Sequence, residues 1–131
     1  MFNLTILKDK YAVCKFKNDA DIPGFIYDSE FYSITKTPDE LSIVCRQSEN
    51  IRDIKNMFEV NKDWRIIKVK TPLDFSSIGV ISGISGILKE NKISILTIST
   101  YETDYILVKN KDLRRVVDSL KESEYKISYE N

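Results

Sequence analysis

Between Trp64 and Ser128 the apolar residues switch back and forth between the period of a strand and the period of a helix, and that alternation constrains the fold more than any other feature. Trp64 to Lys70 (WRIIKVK) is a short β-branched run with apolar side chains on both faces, closed by Thr71-Pro72, and it predicts a strand. From Ser76 to Lys89 the spacing of Ile78, Ile81, Ile84 and Leu88 predicts an amphipathic helix, with Asp74 or Ser76 able to cap its first turn and Asn91 just past its end. Lys92 to Ser99 (KISILTIS) and Tyr105 to Val108 (YILV) predict two strands, joined by the polar connection Thr100 to Asp104. Leu113, Val116, Val117 and Leu120 mark a second helix, and Tyr125 to Ser128 a last short strand. Strand, helix, strand, strand, helix, strand is the split βαβ, or ferredoxin-like, order of an α+β fold: an antiparallel sheet with both helices on one face. The other face and the sheet edges then need cover, which points to a second module or a second chain.

The first half is richer in strands than in helices. Leu4 to Leu7 and Tyr11 to Phe16 flank Lys8-Asp9-Lys10, while Phe31 to Thr35 and Leu41 to Arg46 flank Lys36-Thr37-Pro38-Asp39-Glu40. Two hairpins are the simplest reading, since Pro and the short polar side chains favour turns. Asp19 to Asp28 has room for a short helix, and Asn50 to Val60 carries Ile51, Ile54 and Phe58 at helical spacing ahead of Asn61-Lys62-Asp63. The division expected from this pattern is residues 1–62 and residues 63–131.

Composition removes several function classes. The chain has 131 residues, with 20 Lys and Arg against 20 Asp and Glu, so no net field draws it to nucleic acid or to an anionic membrane. Arg114-Arg115 sits among acids and reads as solvated helix surface. There is no histidine, which takes away the commonest general base and metal ligand. Cys14 and Cys45 lie in apolar strand patterns without a CxxC spacing, so neither a metal site nor a disulfide framework is expected. Adjacent acids, Glu102 with Asp104 and Asp39 with Glu40, are ordinary turn residues rather than an acid/base pair. Gly79, Gly83 and Gly86 fall inside the predicted helix and match no phosphate-binding loop; their expected role is close packing. With no apolar run long enough to span a bilayer and no leader pattern, the expected location is the cytoplasm. No enzyme activity, metal or cofactor is expected.

The stretch WRIIKVKTPLDFSSIGVISGISGILKENKISILTISTYETDYILVKNKDL, above all PLDFSSIG and ISTYETDYILV, resembles the tandem-ACT amino-acid-sensor family, to which CASTOR-type sensors and small bacterial ACT proteins belong. YAVCKF and FYSITKTPDELSIVC are similar to a shortened N-terminal module of the same family. The resemblance implies a shortened ACT-like module over 1–62, an ACT domain over 63–131, side-by-side association as a homodimer, and an amino-acid ligand held where modules meet. It places Ser76, Ser77, Ile78, Gly79, Thr100, Tyr101 and Asp104 in the ligand-contacting loops of one module, and Ser94 and Ile95 on the facing strand of its neighbour; Asp74 joins the first group as part of the same helix start. Residue chemistry allows this: a helix start suits a carboxylate, Gly79 permits close approach, and Thr100 and Asp104 can accept hydrogen bonds from an ammonium group. Taken without the resemblance, the same residues serve equally as caps and turn formers. An assembly module without a ligand is the alternative function.

Overall fold

The structure, a computed structural model, describes residues 3–49, 51, 54, 57–71 and 77–131, except for the side chains of Phe58 and Ser77. Its strands are β1 (Asn3–Ile6), β2 (Tyr11–Phe16), β3 (Ser33–Lys36), β4 (Leu41–Arg46), β5 (Met57–Lys70), β6 (Ile95–Ser99), β7 (Thr103–Lys109) and β8 (Lys126–Tyr129). The helices are α1 (Ser77–Glu90) and α2 (Leu113–Glu122), with short 3-10 turns at Gly24–Asp28 and Asn110–Asp112. Two compact units result: one is Asp9–Asp63, and the other joins Met1–Lys8 to Trp64–Asn131.

In the larger unit the strand order is β6-β7-β5-β1-β8. This is the predicted βαββαβ order with one strand added. β1 does not fold back on β2 as a hairpin; it lies between β5 and β8, antiparallel to the first and parallel to the second, with Leu4 opposite both Val69 and Ile127. The polar Lys8-Asp9-Lys10 segment is compatible with a tight turn, but burial decides. Leu4 and Ile6 become 0% and 1% exposed in this sheet, a gain that local turn chemistry cannot match. Val80, Ile84 and Leu88 of α1 and Val116, Val117 and Leu120 of α2 close on the same sheet face, against Leu4, Ile6, Ile67, Val69, Ile106 and Val108. Both helices therefore cover one face, as the sequence pattern predicts. Ile78, expected on the apolar face of α1, is instead 83% exposed, and Val80 takes its place.

The two helices stop in the same way. Lys92 adopts a left-handed φ of 58° and Glu124 one of 69°. At α1, Ile93 N–H donates to Leu88 O (3.0 Å) and Lys92 N–H to Lys89 O (2.9 Å); at α2, Tyr125 N–H donates to Leu120 O (3.0 Å) and Glu124 N–H to Lys121 O (3.0 Å). These are Schellman endings, and the apolar residues on either side of each cap, Leu88 and Ile93 at α1 and Leu120 and Tyr125 at α2, belong to or pack against the one core. The α1 cap explains why β6 begins at Ile95 rather than at Lys92.

The helical glycines differ in what surrounds them. A Cβ on Gly83 would stand 3.2 Å from the Tyr125 hydroxyl, whereas one on Gly86 would meet nothing within 4 Å. Gly83 fits the expected close-packing role and Gly86 does not. Gly86→Ala is expected to stabilise the protein by about 0.5–1 kcal/mol through helix propensity alone. Gly83→Ala should forfeit much of that gain against Tyr125. Thermal melts of both variants beside the parent check this; a Gly86→Ala midpoint at or below the parent's would contradict it.

In the smaller unit β3, β4 and β2 are antiparallel neighbours, so the second predicted hairpin is present, with Ile34 opposite Ile43 and Cys14 opposite Ile43 on the other side. Ala12, Cys14, Phe16, Ile26, Leu41, Ile43, Cys45 and Ile51 form its core. The helix expected over 50–60 gives way to strand at its end: Met57 to Val60 already belong to β5, which lies beside β2. Helical spacing of Ile51, Ile54 and Phe58 is a weak local signal that sheet pairing overrides; residues 50, 52, 53, 55 and 56 of that segment lie outside the described residues. Asp63, within β5, is left-handed at φ 66°. Its N–H donates to Gln47 Oε1 at 2.7 Å, and its Oδ1 accepts from Gln47 Nε2 at 3.0 Å. Cys14 and Cys45 are buried and free. The side-chain hydrogen bond with Cys45, then burial, pushes the Cys14 thiol up, so it stays protonated and is no nucleophile at neutral pH.

Candidate ligand site

One end of the larger unit's sheet gathers the end of β5, the start of α1 and the β6–β7 turn. Val69 stands opposite Asp104, Lys70 opposite Thr103, and Ser99 opposite Asp104 across the hairpin. The turn is held by Thr100: its N–H donates to Thr103 O (2.8 Å), its Oγ1 donates to the same oxygen (3.0 Å), and Thr103 N–H donates back to Oγ1 (3.2 Å). The Thr100 hydroxyl has thus committed its proton to the turn and retains one lone pair for anything else. Tyr101, at the tip, is 103% exposed.

Asp104 is a different kind of residue. It is 8% exposed, one of two polar side chains buried among the described residues. Alternation along β7 puts it on the helix-covered face with Ile106 and Val108. Ser99 Oγ donates to its Oδ1 at 2.5 Å, and among the described residues no cation pairs with it.

Among the other sequence-predicted residues, Ile78 and Gly79 are exposed in the first turn of α1. Ser77 is the first residue of α1; Asp74 and Ser76 lie outside the described residues. Thr100, Tyr101 and Asp104 therefore share an end of the sheet with the start of α1. Ser94 and Ile95 do not. Ile95 is opposite Val108 at the far end of the hairpin, five residues or roughly 17 Å along β6 from Thr100. There they line a groove of about 650 Å³ with Ser82, Ser85 and Gly86 of α1. Sequence reasoning misses Ser99, which reads as the end of a strand; hairpin register from the Thr100 turn would set it opposite Asp104.

The chain's relationships bear on this geometry. An ACT-domain family model matches residues 59–122, a span that runs from β5 through α1 and the β6–β7 turn to the end of α2, and a separate N-terminal-domain model matches residues 9–53. The chain belongs to the ACT-domain family. A solved protein from Agrobacterium tumefaciens matches this ACT protein at TM-score 0.85 and 30% identity, over 99% of this chain and 94% of its own. The Bos taurus protein named cytosolic arginine sensor for mTORC1 subunit 1 is 28% identical over 99 residues, 70% of this chain and 30% of its own length. This ACT protein thus spans less than a third of that curated relative. The ligand-free regulatory subunit of aspartate kinase from Thermus thermophilus shares the fold, with TM-score 0.59 over 87% of this chain and 92% of its own at 6% identity. The fold is therefore that of an ACT domain, and the relatives that the chain matches in part include a protein named as an arginine sensor. Among the described residues no helix is long and apolar enough to cross a membrane.

Proposed function

We propose that this chain is a non-catalytic, cytoplasmic regulatory protein that binds an amino acid between ACT modules, across a homodimer. Asp104 carries the reading. A carboxylate 8% exposed and held by a hydroxyl suits an ammonium group, because a charge-assisted hydrogen bond in a poorly hydrated site offsets the cost of keeping the charge there. The start of α1, at the same sheet end, suits the ligand's carboxylate. Ser94 and Ile95 lie too far along β6 to reach that ligand in their own chain, which supports a second copy supplying them. The absence of histidine supports a role without catalysis, and two free, buried thiols suit a reducing compartment.

A second reading, an assembly module with an idle loop, draws on β6, an edge strand on which Leu96 is 40% exposed. One experiment separates the two: a thermal-shift screen of the twenty amino acids, with sedimentation on the same samples. A ligand at a hundred times its Kd stabilises the native state by about 2.7 kcal/mol, a rise of several degrees. A selective shift is the expected outcome; a dimer that no amino acid stabilises would assign the assembly role instead.

A further inference from the structure

The smaller unit presents a surface unrelated to the ligand loop. Between positions 25 and 32 three aromatic side chains are exposed, Phe25 at 39%, Tyr27 at 55% and Tyr32 at 40%. Three such rings left in water forgo burial that most aromatic residues obtain, which marks an interaction surface. They are fixed, not dangling. Ile26, 1% exposed, pins the Gly24–Asp28 turn into the core, so its neighbours Phe25 and Tyr27 turn outward. Ser29, 7% exposed, pins the next segment: its Oγ donates to Phe31 O (2.5 Å) and accepts from Arg46 N–H (3.2 Å). Tyr27 and Tyr32 then meet edge to face, with centroids 5.5 Å apart and planes at 88°.

The charge of the segment that carries these rings is one-sided. Asp19, Asp21, Asp28 and Glu30 are all exposed, and among the described residues none is in an ion pair. Lys17 is the one base between positions 17 and 32, in a chain that is neutral as a whole, and the exposed Arg46, whose N–H meets Ser29 Oγ, is the base that β4 brings to the segment. Such a surface repels phosphate and anionic lipid and attracts cations. Aromatic faces add to that preference, most of all for guanidinium, which stacks as well as attracting the ring electrons. The rings form an open surface rather than an enclosure, so a lone small cation would keep most of its water there; a chain making several contacts would not. We infer that this aromatic, acidic face docks a basic polypeptide segment, with arginine side chains seated on Tyr27 and Tyr32 beside the carboxylates of Asp28 and Glu30.

The test is fluorescence anisotropy of the full chain with labelled peptides of alternating Arg and Ala, Lys and Ala, or Glu and Ala. The arginine peptide is expected to bind best, the lysine peptide less well and the glutamate peptide not at all. Tyr27→Ala with Tyr32→Ala should weaken arginine-peptide binding about tenfold. Asp28→Asn with Glu30→Gln, which leaves every ring and core residue in place, should weaken it at low salt, and the difference should vanish near about 1 M salt. Circular dichroism shows whether the ring variant folds; if it does not, the charge variant decides alone. Arginine-peptide binding that is absent, unchanged in the folded variants, or matched by the glutamate peptide overturns the proposal. So does self-association that disappears with the rings while no peptide binds, which would assign the face to a second copy. Asp104→Asn should leave peptide binding untouched, so this proposal and the amino-acid reading can fail separately.

Discussion

In Asp104→Asn, amino-acid affinity should fall by about thirtyfold or more while the fold and the oligomer persist. The substitution keeps volume and keeps an acceptor for the Ser99 hydroxyl, so the 2.5 Å contact that orients the side chain can survive. What it removes is the charge. Losing one partner of a buried charge pair costs about 2–5 kcal/mol of binding, which is roughly thirtyfold to several-thousandfold in Kd. The unliganded variant should be at least as stable as the parent, because a carboxylate 8% exposed with a neutral donor is an expensive group to bury. Calorimetric titration with the amino acid that gives the largest thermal shift measures the first effect, and melts without ligand measure the second. Wild-type affinity in the variant would remove Asp104 from the site.

Leu4→Ala should destabilise the protein by about 2–5 kcal/mol. In the hairpin reading Leu4 belongs to a short strand of the first module, where its loss would be felt locally. In the structure it is 0% exposed, paired with Val69 and Ile127, and packed under both helices of the larger unit. Truncating it opens a cavity at the seam between β5 and β8, where neither neighbour can close the gap without giving up its own pairing. Urea unfolding followed by tryptophan fluorescence reads this directly, since Trp64 is 5% exposed in β5 of the same unit. A loss under about 1 kcal/mol would mean that β1 contributes little to that sheet.

These expectations show which parts of the molecule are legible in the residues. The periods of Trp64–Lys70, of the α1 and α2 faces and of the β6–β7 hairpin are local properties, and the structure holds all four elements near the predicted positions. β1 is not legible in the same way. Its four residues specify a strand but carry no signal that the partner is Val69 rather than a residue across a nearby turn. The Lys92 and Glu124 caps are hidden because neither is the glycine that usually marks a left-handed ending. At the candidate site, Thr100 and Asp104 look alike in sequence, as polar residues of one connection. The fold separates them: Thr100 is taken up by the turn, and Asp104 is carried into β7 and away from water.

The parallel pairing of β1 with β8 also sets when the protein can finish folding. Leu4 is joined to Ile127 across the sheet, so the larger unit closes only after 123 further residues have been made. At ordinary synthesis rates of about 5–20 residues per second, that is a wait of roughly 6–25 s on the ribosome. The smaller unit, whose Asp9–Asp63 span emerges whole well before then, has time to fold first, while a strand bearing Leu4 and Ile6 stays unpaired. Contacts of such long sequence separation make for slow closure, and another nascent copy's β1 fits the same slot between β5 and β8. Strand exchange between neighbouring nascent chains is thus the hazard that this long-range pairing creates.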